Sequence, residues 1–140
     1  MLAVTVYAVG TLKEAFLRDA VAEYSKRLSG YCSFSIRECA DGKPLPPFPK
    51  KAYRIALCVE GKMMSSEALA HELETLPLRG VSEVVFVIGG ENGLDESVKA
   101  ACDLRLSFSP MTFPHQLMRV ILCEQIYRAF TIINHGKYHK

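Results

Sequence analysis

The spacing of hydrophobic and polar positions changes period several times along the chain. Leu2–Val9 alternates and is rich in β-branched residues, the pattern of a strand, and Gly10-Thr11 ends it. Residues 12–28 then place Leu17, Val21, Tyr24 and Leu28 at helical spacing with charges between them. Cys32–Cys39 alternates again, with Phe34 and Ile36 on one face and Ser33, Ser35 and Arg37 on the other. Asp41–Lys51 (DGKPLPPFPKK) holds four prolines, which lack the amide that a helix or central strand requires. It predicts a stiff loop between elements.

Arg54–Val59 predicts a short buried strand. Ser65 or Ser66 can cap a helix that turns Leu69, Leu73 and Leu76 inward, with Glu67 favourably placed in its first turn. Val84–Ile88 (VVFVI) is apolar at every position, as a central parallel strand covered on both faces must be. A short helix around Asp95–Cys102 and a strand near Leu104–Phe108 follow. The last helix, from about His115 to Ile133, has almost no polar face, so it must be buried all round. One side can cover a sheet. The other calls for a second copy of the chain, and a C2 homodimer is the expected answer.

The order β-α-β-loop-β-α-β-α-β-α predicts a single α/β domain over 1–140, with a mostly parallel sheet flanked by helices. In such sheets ligands bind beyond the carboxyl ends of the strands. The loops after Val59, Ile88 and Phe108 are therefore where chemistry is expected.

Composition narrows the class. The 140 residues are 49% hydrophobic and 23% charged, a globular balance long enough for one core. No apolar run reaches the length of a membrane helix, and MLAVTVYAVG lacks the basic start of a signal peptide, so a cytosolic protein is expected. The five cysteines form no C-x-x-C pair and no metal spacing, which predicts reduced, buried thiols and no metal site. A net charge of +2 permits an anionic partner without demanding one.

Two phosphate-binding patterns fail. Gly61-Lys62 lacks the glycine and the hydroxyl residue of a P-loop, and no G-x-G-x-x-G follows the first strand. Gly89-Gly90-x-x-Gly93 ends the most apolar strand, either to let a ligand approach the backbone or simply to turn the chain tightly. Ser109–His115 mixes two prolines with apolar groups, and reads as an apolar wall for an adenine ring or as a rigid connection. Glu124 and Arg128 stand at i, i+4 and can pair on one face. The tail Asn134–Lys140 is basic and aromatic, which suits stacking on a base and neutralising phosphate as well as it suits a solvated end.

VFVIGGENGL, SFSPMTFPHQLMRVILCEQIYRAF and the closing NHGKYHK together resemble the bacterial large-subunit ribosomal RNA pseudouridine-N3 methyltransferases of the SPOUT class. The opening strand ending Ala8-Val9-Gly10 and a Gly61-Lys62 turn fit as well, so the resemblance covers nearly the whole chain. It implies a deep trefoil knot at the C-terminal end, a tight homodimer, and S-adenosylmethionine (the methyl donor) held by the three loops. On that basis Leu57, Gly89, Gly90 and the run Phe108, Ser109, Pro110, Met111, Thr112, Phe113 line the cofactor pocket. His115, Arg128, Tyr138 and His139 fall near the acceptor, a pseudouridine in the helix 69 loop of large-subunit ribosomal RNA in assembled ribosomes. The proton acceptor stays open between His139, His115 and a water. One departure stands out: the family carries a longer helical segment where this chain has the proline-rich stretch 42–51. Two rival functions follow, a SPOUT-type methyltransferase for a different RNA and a non-catalytic RNA- or nucleotide-binding protein on the same scaffold.

Overall fold

The computed structural model describes residues 1–140. Its strands are β1 (Ala3–Val9), β2 (Ser33–Cys39), β3 (Tyr53–Met63), β4 (Glu83–Ile88) and β5 (Leu104–Ser107). The helices are α1 (Ala15–Leu28), α2 (Ser66–Thr75), α3 (Glu96–Ala100) and α4 (His115–Ile133), with a short 3-10 turn at Pro77–Arg79. All strand pairs are parallel, in the order β2-β1-β4-β3-β5. The expected elements and their order hold.

Why β4 is apolar throughout is visible in its packing. Val84, Phe86 and Ile88 join the main core, together with Val4, Val6 and Ala8 of β1 and with residues of α1, α2 and α4. Val85 and Val87 face the other way, with Tyr7, into a smaller cluster closed by α3 and the proline-rich loop. That loop is packed rather than free. Tyr7 donates its hydroxyl to the Pro47 carbonyl at 3.1 Å, and Phe48 stacks on the Tyr7 ring with centroids 5.6 Å apart. The prolines are tolerated because no ladder needs their amides.

Three local details differ from expectation. α1 starts at Ala15 rather than at residue 12, and the Leu12 and Lys13 amides ahead of it donate to Glu38 Oε2 and Gln116 Oε1 at 3.3 and 3.1 Å. β3 runs past Val59 to Met63 and contains a bulge: Leu57 and Lys62 both take Leu106 as register partner, so Cys58–Gly61 steps out of the ladder. Gly61 therefore lies within the strand rather than in a turn. A Cβ there would stand 2.7 Å from the Arg105 carbonyl carbon, so only glycine fits this approach of β3 to β5. At α2, Ser65 is the cap, its Oγ accepting from the Ala68 amide at 3.0 Å.

The last helix is not wrapped on all sides. α4 packs between α1 and α2, burying Leu122, Cys123, Ile126, Ala129 and Phe130. Leu117 remains 40% exposed, and Phe16 and Met111 are exposed at 68% and 69%. Of the cysteines only Cys32 and Cys123 are fully buried, the other three being half-buried, and all five are free.

Candidate functional site

A cleft of about 690 Å³ opens at the carboxyl ends of β3, β4 and β5, where the expected loops converge. Its size is that of an ordinary small-ligand site. The β3 bulge makes its mouth: Leu57–Glu60 forms one wall, the Gly89–Leu94 turn the second, and the chain from Leu106 to His115 the third. Leu57, Gly89, Gly90, Phe108, Ser109, Met111, Thr112, Phe113 and His115 all line it. Pro110 does not. The loop around it is held by Ser109 Oγ, which accepts from the Met111 amide at 3.0 Å, and by the Ser107 hydroxyl, which donates to the Ser109 carbonyl at 3.1 Å. Ile88, Leu106, Met118 and Lys99 also reach the cleft. Periodicity assigned the first three to the core and gave no signal for Lys99.

The glycines of the second wall serve the turn itself. The Gly93 amide donates to the Gly90 carbonyl at 3.0 Å, and Gly93 takes φ +74°. A Cβ on Gly89 would stand 2.5 Å from the Gly93 carbonyl carbon. At Gly90 it would point toward Val9 and come within 2.9 Å of Asp41 Oδ1, neither of which is a cleft wall.

α4 is locked to this end of the sheet by a buried charge. Arg119, 2% exposed, donates to Glu38 Oε2, to the Gly10 carbonyl at 2.9 Å and to the Val9 carbonyl at 3.4 Å. Those bonds satisfy the guanidinium and hold the loops after β1 and β2 against the helix that begins beside the cleft.

The other expected residues lie elsewhere. Arg128 sits far along α4 from His115, roughly 20 Å at the rise of a helix. Around it the tail folds back onto the helix. α4 ends with the Gly136 amide donating to the Thr131 carbonyl at 2.7 Å and the His135 amide to that of Ile132 at 3.1 Å, with His135 in the left-handed region at φ 58°. That reversal brings Tyr138 and His139 alongside Glu124 and Arg128. The Tyr138 hydroxyl donates to Glu124 Oε2 at 2.7 Å, and Arg128 Nη2 donates to the same oxygen at 2.9 Å. The Arg128 guanidinium also lies 4.8 Å over the Tyr138 ring. Burial, then the bond to Glu124, pushes the Tyr138 hydroxyl up to about 12, so it is a donor at neutral pH. His139 bridges Arg128 Nη1 at 3.0 Å and Glu67 Oε1 on α2. Glu67 appeared in the sequence only as a first-turn charge, and nothing there linked it to the tail.

The chain thus holds an apolar cleft and a cation-aromatic-histidine cluster. Residues 2–139 match the family described as predicted SPOUT methyltransferases. The chain belongs to the SPOUT methyltransferase family. Among its relatives is the ribosomal RNA large subunit methyltransferase H of Bifidobacterium adolescentis, 45% identical over 98% of this chain and 99% of the relative. The protein of the same name from Streptococcus equi subsp. zooepidemicus is 44% identical over 94% and 96%. The first alignment runs over 157 positions against the 140 residues of this SPOUT chain, so the relative carries residues this chain lacks. A solved structure of a probable methylase family protein from Haemophilus influenzae superposes with TM-score 0.62 over 98% of this chain and 70% of that one. At 10% identity it bears on the fold alone.

Proposed function

We propose that the protein transfers a methyl group from S-adenosylmethionine to N3 of a pseudouridine in the helix 69 loop of large-subunit ribosomal RNA, acting in the cytosol on assembled ribosomes. The carrying observation is the pairing, in one small SPOUT chain, of an apolar cleft at the strand ends with a tail cluster that presents a cation, a phenol and an imidazole. The names of the relatives supply the substrate class. The chemistry of the cleft fits the donor: Phe108, Phe113 and Met118 offer apolar walls to an adenine and a thioether-like chain, and the β3 bulge frees backbone near Leu57 for the ring edge.

S-adenosylmethionine supplies a methyl already activated on a sulfonium, so the protein's task is alignment. In this reading the turn at Gly89 and Gly90 and the loop from Phe108 to Phe113 hold the donor and exclude water. Arg128 stabilises the imide nitrogen as it loses its proton, and Tyr138 pins the nucleotide. His115 stands at the cleft rim, on the acceptor side. Because Arg128 stands roughly 20 Å of helical rise beyond His115 at the cleft, this reading joins the cleft of one subunit to the tail of another. The exposed Phe16, Met111 and Leu117 are surface that a homodimer would cover. The deep trefoil knot at the C-terminal end belongs to the same reading, and the non-sequential strand order β4-β3-β5 accommodates it.

The test is methyl transfer from labelled donor to ribosomes with and without the pseudouridine. Transfer only to pseudouridine-containing ribosomes is expected. Transfer to another RNA would favour the altered-substrate reading, for which the absent segment between β2 and β3 is the motive. No transfer with intact donor binding would leave a binding protein.

A further inference from the structure

His139 sits between a donor and an acceptor, and that decides which of its ring nitrogens carries the proton. A guanidinium has five N–H groups and no acceptor. The 3.0 Å contact between Arg128 Nη1 and His139 Nδ1 is therefore a bond in which Nδ1 accepts. On the opposite side of the ring Nε2 meets Glu67 Oε1, a carboxylate oxygen, so Nε2 donates. The two bonds agree on one state, the neutral imidazole protonated at Nε2. Arg128 is itself fixed by two bonds to Glu124, at 2.9 and 3.3 Å. Ser65 caps α2 just before Glu67, and the Ser66 hydroxyl, beside Glu67, donates to Gln125 Oε1 on α4 at 2.7 Å. The carboxylate is thus carried on a helix end tied to the helix that carries Arg128.

We propose that Glu67 is a positioning residue for methyl transfer, holding His139 as the Nε2–H tautomer so that Nδ1 is the lone pair offered to the acceptor base. This rests on the reading of an RNA imide nitrogen as acceptor. When the base enters, its N3–H replaces the Arg128 N–H at His139 Nδ1, and Arg128 turns to the imide oxygens. The N3 proton passes to Nδ1. The N3 lone pair forms the bond to the methyl carbon as the carbon–sulfur bond breaks, its electron pair leaving the sulfur as a neutral thioether. The imidazolium so formed keeps its Nε2–H on the Glu67 carboxylate, the geometry by which a carboxylate orients and supports a histidine base elsewhere. Charges facing His139 are Glu67 from α2 and Arg128 from α4, with Glu124 behind Arg128 and Tyr138 next in the chain.

Two measurements on the full-length protein test this. Long-range nitrogen–proton correlation spectra at pH 8, with His139 assigned through His139→Asn, are expected to show a protonated Nε2 and a bare Nδ1. Glu67→Gln should keep that pattern, since its amide oxygen still accepts, whereas Glu67→Ala should let the tautomers mix. An Nδ1–H tautomer in the wild type, or a tautomer indifferent to Glu67→Ala, overturns the proposal. In methyl transfer to ribosomes, Glu67→Ala should lower kcat about tenfold, a tenth or less of the 10²–10⁴ range of a general base, leave the donor KM unchanged, and be largely rescued by Glu67→Gln. Adding Glu67→Ala to His139→Ala should cost nothing more, and an additive loss would show that Glu67 acts through something else. The spectra decide whether Glu67 sets the His139 tautomer without any substrate, so a wild-type protein inactive on ribosomes but with that Glu67-dependent tautomer would sink the substrate reading alone.

Discussion

At the scale of single residues, space and protonation decide more than identity. Gly89 and Gly90 are neighbours of one composition, yet they answer to different constraints. A methyl on Gly89 meets Gly93 backbone, which cannot swing aside, whereas one on Gly90 meets the end of the Asp41 side chain. Gly89→Ala is therefore expected to weaken binding of S-adenosylmethionine by at least about tenfold, in line with overpacking costs of about 1–3 kcal/mol. Gly90→Ala should stay within about threefold, and Gly90→Glu should lose binding by setting a second carboxylate against Asp41. Calorimetric titration of the three variants checks this; equal losses for the two alanines would show that the turn is set by ligand approach instead. The thiols divide in the same way. Burial pushes Cys32 up to about 11 and Cys123 up to about 12, so both are protonated at pH 8 and walled off from reagent. Iodoacetamide followed by mass spectrometry should leave both unmodified in the folded protein, and alkylation of Cys123 at the rate of the half-buried thiols would mean that α4 opens. Apolar flanks predicted burial for these cysteines, but the degree of burial depended on which face of each element met a neighbour.

At the scale of elements, α4 was legible as a helix that needs cover on more than one side. Within the chain that cover comes from α1, α2 and the sheet, which pack on its inner side. Ile126 is fully buried within the chain. Ile126→Asp is thus expected to unfold the subunit, since an unpaired carboxylate has no partner there. Leu117→Asp, at a position 40% exposed, should leave the fold intact and shift a dimer toward monomer. Circular dichroism with light scattering on both variants separates these outcomes, and a folded, monomeric Ile126→Asp would contradict the assignment of faces. The β3 bulge had no sequence counterpart that periodicity could detect. Arg54–Val59 reads as one short strand, and its continuation through Glu60, Gly61 and Lys62 is polar, so only pairing with β5 reveals it.

At the scale of the whole molecule, the proposed composite of cleft and tail would make assembly part of function. Removing residues 137–140 takes away Tyr138 and His139 but none of the cleft lining and none of the exposed Phe16, Met111 and Leu117. Donor binding and dimer mass should therefore stay near wild type, while methyl transfer to ribosomes falls by at least about tenfold, roughly 1.4 kcal/mol of transition-state stabilisation. Full activity after truncation would return the chemistry to His115 and the cleft. The sequence by itself determined the element order, the parallel sheet with a doubly covered β4 and the three loops at the strand ends. These follow from local periodicity, glycine and proline placement, and motifs that are contiguous in the chain. Only the tertiary structure decided that Arg119 is a buried tie to Glu38, that Gly61 lies in a bulged strand, and that Glu67 meets His139 across 72 positions. Such contacts depend on how α2, α4 and the folded-back tail are placed in space, and short-range patterning carries no record of that placement.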